Sequence, residues 1–246
     1  MKISGFIACT AICLSLFIGV PGLMAADEKD VCKGIDVGYI AKHMPLPQFN
    51  IEATKGVRGL CEVVINVEGE LLPLYAQKDK ELLIAGDMFH NKTHVTRDTL
   101  DNLQAGVFRK AISDINDVVA FFYKPKEISS FVYLFTDPDC AYCDQAKEPL
   151  KKWADENKVE VRVILFPLPM HPGAKAKAVA AVCSKMTYEA YLGNKYATDG
   201  CSAGEEKISK ALILGQGLGV AGTPTFVGPT GKTAVGFDPE ELKGIL

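Results

Sequence analysis

Residues 131–150, FVYLFTDPDCAYCDQAKEPL, constrain this chain more than any other stretch. Five residues of strand character, Phe131-Val132-Tyr133-Leu134-Phe135, run into the breaker Thr136-Asp137-Pro138-Asp139, and Cys140-Ala141-Tyr142-Cys143 then opens a polar, helix-competent segment. That order predicts a strand, a turn and a CxxC at a helix N-terminus. The unpaired N–H groups and the positive dipole end of such a helix stabilise a thiolate on the first cysteine, and the thiolate is the nucleophile. A four-cysteine zinc ribbon needs a second CxxC, which the sequence lacks, and Cys183 and Cys201 are too far apart to supply one. The pattern therefore reads as redox chemistry with no metal and no cofactor.

The rest of the chain tells where such chemistry would run. A single Lys2 precedes an apolar run over residues 3–20, the breakers Pro21-Gly22 follow, and Leu23-Met24-Ala25-Ala26 offers small residues to a signal peptidase, so residues 1–26 read as a cleavable export signal. Cys9 and Cys13 leave with it, and Cys32, Cys61, Cys140, Cys143, Cys183 and Cys201 remain. An even number in an exported chain favours disulfides; six cysteines allow fifteen pairings, and locality suggests Cys32 with Cys61, Cys140 with Cys143, and Cys183 with Cys201. The first and last would be structural staples worth about 3 kcal/mol each in the chain-entropy picture. The formal charge of -3 argues against nucleic acid as a partner.

The pattern divides the mature chain. Residues 27–95 suggest a small α+β module, with a helix over 30–42 ended by Met44-Pro45-Leu46-Pro47, then strands over 60–66, 71–76 and 81–85. A meander of this size has one face to bury and little to bury it against, so it needs a partner. From Thr96, taken as an N-cap, Leu100, Leu103, Val107, Ala111 and Ile115 recur at helical spacing, giving a linker helix over 96–122 weakened at Gly106. Tyr123-Lys124-Pro125 marks the boundary of a third region, 123–246. There the CxxC helix, carrying Pro149, is followed by a buried strand over 158–166, helices over 174–186 and 205–214, a hairpin of 225–227 with 233–235, and a terminal helix over 239–246. The order β, α, β, helices, β, β, α is that of a thioredoxin-like α/β domain with a helical insertion. Asp137, Asp139 and Asp144 read as turn and first-turn residues, and His171, in a proline loop, as surface structure.

Two motifs converge on a family. Leu218-Gly219-Val220-Ala221-Gly222-Thr223-Pro224-Thr225 puts a proline immediately before a strand, where thioredoxin-like proteins carry a cis-proline facing the CxxC. Together with Tyr123-Lys124-Pro125, Phe135-Thr136-Asp137, Cys140-Ala141-Tyr142-Cys143, Cys183 and Cys201, this resembles the periplasmic disulfide isomerases of the DsbC and DsbG type. The resemblance implies that Cys140 attacks, Cys143 resolves, Tyr142, Thr223 and Pro224 contact substrate, and Cys183 with Cys201 forms a structural disulfide. It also implies a periplasmic homodimer built by the N-terminal domains, misoxidised exported proteins as clients, and a membrane electron donor of the DsbD type. By the same resemblance Gly86, which ends an apolar strand, lies where the second subunit's backbone approaches. Ala141 departs from the glycine or proline often found in the motif. A reductase of single oxidised cysteines, closer to DsbG, and a holdase chaperone are the alternatives.

Overall fold

The computed structural model describes residues 30–246 apart from Gly69 and Lys78, so the export signal expected over residues 1–26 lies outside the described residues. A 3-10 turn over Asp30–Cys32 leads to α1 (Val37–His43). The single helix expected over 30–42 is thus interrupted: Gly34 takes φ +74, and Asp36 starts a new helix by accepting from the Tyr39 N–H at 2.8 Å. Strands β1 (Phe49–Val57), β2 (Leu60–Val67), β3 (Glu70–Gln77) and β4 (Leu83–Ala85) form an antiparallel sheet in sequence order. The sequence reading missed β1, whose apolar alternation at Phe49, Ile51 and Ala53 is diluted by polar neighbours. Arg58 and Gly59, both at positive φ, close its hairpin to β2. Ile40 packs with Val63, Ile65, Leu74 and Ala76 on one face of the sheet, and the Cys32–Cys61 disulfide ties the 3-10 turn to β2.

A tight hairpin of β5 (Phe89–His90) and β6 (Thr93–His94) turns the chain into α2 (Val95–Lys110), with α3 (Ile112–Asp117) after it. Two expectations are corrected here. Thr96 lies inside α2 rather than capping it; its hydroxyl accepts from the Met88 N–H at 2.6 Å and pairs with the Tyr75 hydroxyl, which ties the helix start to the sheet. The continuous helix through Val119 is interrupted at Ala111, which ends α2 and starts α3, rather than at Gly106; Phe108 and Ile115 on either side both enter the core of the second sheet.

That second sheet is built from β7 (Phe121–Tyr123), β8 (Ser130–Thr136), β9 (Val159–Leu165), β10 (Thr225–Val227) and β11 (Thr233–Val235), ordered β11-β10-β8-β9-β7. Only β8 and β9 are parallel, joined across α4 (Ala141–Asn157). Tyr123, expected at a boundary, ends an edge strand that pairs antiparallel with β9. Helices α5 (Ala174–Cys183), α6 (Tyr188–Leu192), α7 (Ser202–Gly217) and α8 (Pro239–Gly244) complete the layers. The two-residue period of β8 divides the core: Val132 and Leu134 join Leu150 and Trp153 of α4 and Leu242 of α8, whereas Tyr133 and Phe135 join Phe108, Ile115 and Leu218. The Cys183–Cys201 disulfide joins the end of α5 to the start of α7. Among the described residues no helix is long and apolar enough to cross a membrane.

The β10–β11 turn leans on α2. Gly231 takes φ +84, and a Cβ there would lie 2.1 Å from the Ala105 carbonyl oxygen. Gly231→Ala is therefore expected to cost about 1–3 kcal/mol by forcing the turn off the helix. Urea unfolding checks this, and wild-type stability would show the turn free to move.

Candidate active site

The turn between β8 and α4 is held from beneath. Asp137, 2% exposed, accepts through Oδ1 from the Asp139 N–H at 2.7 Å and through Oδ2 from the Leu168 N–H at 2.5 Å, with His171 Nδ1 3.0 Å from Oδ2. Its main-chain carbonyl accepts from the Cys140 N–H at 3.2 Å. Asp137 is thus a buried anchor rather than a plain turn residue, and His171, read as surface structure, is its partner. Sequence could not pair two residues from separate loops.

Cys140 occupies the N-cap position of α4. Its sulfur accepts from the Cys143 N–H at 3.2 Å, in the place a capping oxygen usually takes, and its thiol reaches the Thr223 carbonyl at 3.3 Å. The Thr223–Pro224 peptide is cis, and it brings that carbonyl to the thiol. Cys143 sits one turn inside, 2% exposed, and both thiols are free. Burial pushes the Cys143 thiol up to about 12, partly offset by the Asp137 main chain and the nearby Thr223 and Thr136 hydroxyls. The two sulfurs therefore differ in role: one, 6% exposed, caps the helix beside an open cleft, and the other is held protonated a turn deeper.

Two open clefts lie at the start of α4, and Cys140 lines the second. One, about 390 Å³, is lined by Tyr142, Thr223, Pro224, Val235 and Phe237, with Tyr142 74% exposed. The other, about 440 Å³, is polar and lined by Asp139, Asp144, Lys177, Asn194 and Tyr196. Lys177 pairs with Asp139, and hydrogen bonds from Asn194 and Lys147 hold the Asp144 carboxyl below its usual range. Lys147, only 4% exposed, was missed by the sequence reading. A signal existed, because it falls on the buried stripe of α4 formed by Cys143, Ala146, Leu150 and Trp153. Gly86 lies far along the chain from this site, just beyond β4. It takes φ +138, its N–H donates to the Pro73 carbonyl at 3.2 Å, and a Cβ there would meet nothing within 4 Å.

Residues 123–246 match the family described as a thioredoxin-like domain, and the chain belongs to it. Among characterised proteins it is similar to the probable thiol:disulfide interchange protein DsbC of Bordetella avium, 28% identical over 188 residues that cover 74% of this chain and 62% of that protein. It is also similar to the thiol:disulfide interchange proteins DsbG of Pseudomonas aeruginosa, at 23% identity with 72% of each chain covered, and DsbC of Escherichia coli, at 27% with 70% of this chain and 72% of that one covered. The chain thus spans less than two thirds of the first of these. The resemblance read from Cys140-Ala141-Tyr142-Cys143 and Thr223-Pro224 is borne out at the level of the family and of these relatives.

The geometry sets an order of reactivity. Iodoacetamide at mildly acidic pH should label Cys140 and leave Cys143 intact, which peptide mapping would read; labelling of Cys143 first would reverse the assignment. The pH dependence of stability follows from the raised Cys143 thiol. Between its ordinary value of 9.0 and about 12 the folded state keeps a proton that the unfolded chain has released. The reduced protein should therefore lose stability as pH rises through that window, and Cys143→Ser should lose less.

Proposed function

We propose that this chain is a thiol:disulfide oxidoreductase of exported proteins, working chiefly as a disulfide isomerase. Carrying the proposal is the Cys140 sulfur, seated at the start of α4 between the Cys143 N–H and the carbonyl of the cis Thr223–Pro224 peptide. As thiolate, Cys140 attacks a substrate disulfide, forming a mixed disulfide and releasing one substrate thiolate. If a second substrate thiol attacks that bond, the substrate is isomerised; if Cys143 attacks it, the substrate is reduced and the Cys140–Cys143 disulfide forms. Tyr142, Thr223 and Pro224 line the cleft beside Cys140 and are assigned to substrate contact, an extended chain pairing along the cis-proline loop. The Cys32–Cys61 and Cys183–Cys201 disulfides are assigned structural roles.

The same reading puts the protein in the periplasm, with a membrane donor returning electrons to the active site. It makes residues 27–95 a dimerisation domain, residues 96–122 a linker and residues 123–246 the catalytic domain. Supporting the dimer is β4, an edge strand that carries Ile84 and is preceded by Leu82, each 45% exposed, with Gly86 just beyond its end.

Reactivation of a scrambled multi-disulfide protein is the test. The reduced wild type should restore activity and Cys140→Ser should not; a wild type active only on single sulfenic acids would instead make it a reductase. Gly86→Arg puts a charge where two sheets would pair, at about 3–5 kcal/mol if it is buried unpaired. Sedimentation should then report a monomer, with most isomerisation lost and simple dithiol exchange retained. An intact dimer would move the interface elsewhere.

A further inference from the structure

Behind Cys143 runs a buried polar chain that the reaction as described leaves unused. Thr136, at the end of β8 and 0% exposed, lies near the Cys143 sulfur, as does Thr223, whose buried hydroxyl has no hydrogen-bond partner among the described residues. On its other side the Thr136 hydroxyl meets the Tyr191 hydroxyl at 2.7 Å. Tyr191, 1% exposed, lies in α6, and the Lys147 ammonium sits 4.3 Å from its ring centroid. Lys147 is itself held by Asp144 at 3.0 Å and by Asn194.

The proton directions follow from counting donors. Burial keeps the Tyr191 hydroxyl neutral, so it carries one proton that must find an acceptor. Thr136 Oγ1 is its one hydrogen-bond partner among the described residues. Tyr191 therefore donates to Thr136, which leaves the single Thr136 proton free for sulfur. A cation over the ring face draws on the ring's electrons and makes its hydroxyl a better donor, and a chain of donors strengthens itself link by link.

We propose that Tyr191, backed by the Lys147 ammonium, is a positioning residue for the resolving step: it keeps the Thr136 proton turned toward Cys143, so that the resolving thiolate forms against a preset donor. This rests on the thiol-exchange reading above. In the step itself the Cys143 thiol gives its proton to water and its sulfur attacks the Cys140 sulfur of the mixed disulfide. The Cys140–Cys143 bond forms, the bond from Cys140 to substrate breaks, and the departing substrate sulfur leaves with the electron pair and takes up a proton. Two electrons pass from the enzyme dithiol to the substrate disulfide. Besides Tyr191 and Cys143, the titratable groups around this pocket are Cys140, Asp137, Asp139, Asp144, Lys147, His171, Tyr188 and Tyr196, and none of them is changed in the Tyr191 or Thr136 variants.

The experiment follows the mixed disulfide by acid quench after mixing the reduced full chain with a peptide disulfide, from pH 6 to pH 10. For Tyr191→Phe, resolution relative to Cys140 attack should slow by roughly three- to tenfold at neutral pH, the value of one hydrogen bond, and its pH profile should move upward. Thr136→Val should slow it at least as much, and adding Tyr191→Phe to Thr136→Val should change nothing further. Lys147→Met should shift the profile in the same direction, and Lys147→Arg should restore it. A wild-type profile in Tyr191→Phe, or additive losses in the double variant, would overturn the proposal. Should Tyr191→Phe fail to fold, the Lys147 pair decides: a Met variant indistinguishable from the Arg variant overturns it. If the Cys143→Ser chain accumulates no mixed disulfide with Cys140, the thiol-exchange reading itself fails, which is a separate result.

Discussion

The Asp137 carboxylate fixes the place where both cysteines are displayed. It lies where the parallel strands β8 and β9 end together, and it satisfies main-chain N–H groups from both exits, Asp139 after β8 and Leu168 after β9. Such a buried carboxylate is tolerated because both of its oxygens have partners, His171 included. Its own carbonyl receives the Cys140 N–H, so the first residue of the CxxC is positioned by the same group that closes the sheet. Cys140 then caps α4 with sulfur, and the cis Thr223–Pro224 peptide comes in from the β10 side to face it. Position of the thiol, direction of the helix and approach of the cis-proline loop are consequences of one anchored turn.

Most of this centre is local in sequence, and that part was legible. Phe131-Val132-Tyr133-Leu134-Phe135 alternates between two cores, Pro138 breaks the strand, and Cys140 and Cys143 differ by three positions, which in a helix puts one sulfur at the end and the other a turn inside. Thr223-Pro224 was legible only through its likeness to a family, since a proline before a strand is ordinarily trans. What the sequence hid is non-local. Asp137 meets His171 across two loops, and Thr136 meets Tyr191 from a short helix that no periodicity announces. Short elements were lost too: β5, β6 and β7 have too few residues to express a period, and β1 alternates among so many polar residues that only its pairing with β2 makes it a strand. Thr96 misled because it has the chemistry of a cap and spends it on the Met88 N–H instead.

The two thiols live in contrasting surroundings although they share one turn of helix. Tyr142, a near neighbour of Cys140, lines one cleft with Thr223, Pro224 and Phe237, and Cys140 itself lines the polar cleft with the ionic group of Asp139, Lys177 and Asn194. An incoming extended chain can present an apolar residue to the first while the second stays wet, so approach from the two sides is not equivalent. Cys143 is buried a turn deeper, beside the Asp137 main chain and the Thr136 and Thr223 hydroxyls. Its ionisation is therefore governed by burial and fixed groups, whereas Cys140 lies against the polar cleft.

Helix α2 connects this centre to the other sheet and is clamped at both ends. At its start the buried Glu62 carboxylate accepts from the Tyr75 hydroxyl at 2.8 Å and from Thr99 at 2.7 Å, so the helix is bonded to β2 and β3 by a charge that cannot be left unpaired. At its other end Phe108 enters the core beneath Tyr133 and Phe135, Gln104 donates to the Leu218 carbonyl at 2.6 Å, and Arg109 donates to the Thr230 carbonyl at 3.0 Å. Leu218 begins the loop that carries Thr223 and Pro224, and Thr230 lies in the β10–β11 turn, so the two contacts fall before and after the stretch whose Thr223 carbonyl meets the Cys140 thiol. A helix of this length spans roughly 24 Å at 1.5 Å per residue. Fixed by a buried carboxylate at one end and by aromatic packing at the other, it acts as a strut whose footing is the base of the cis-proline loop. Displacing the four-stranded sheet must then either break the Glu62 contacts or load the loop that holds Thr223 against the Cys140 thiol.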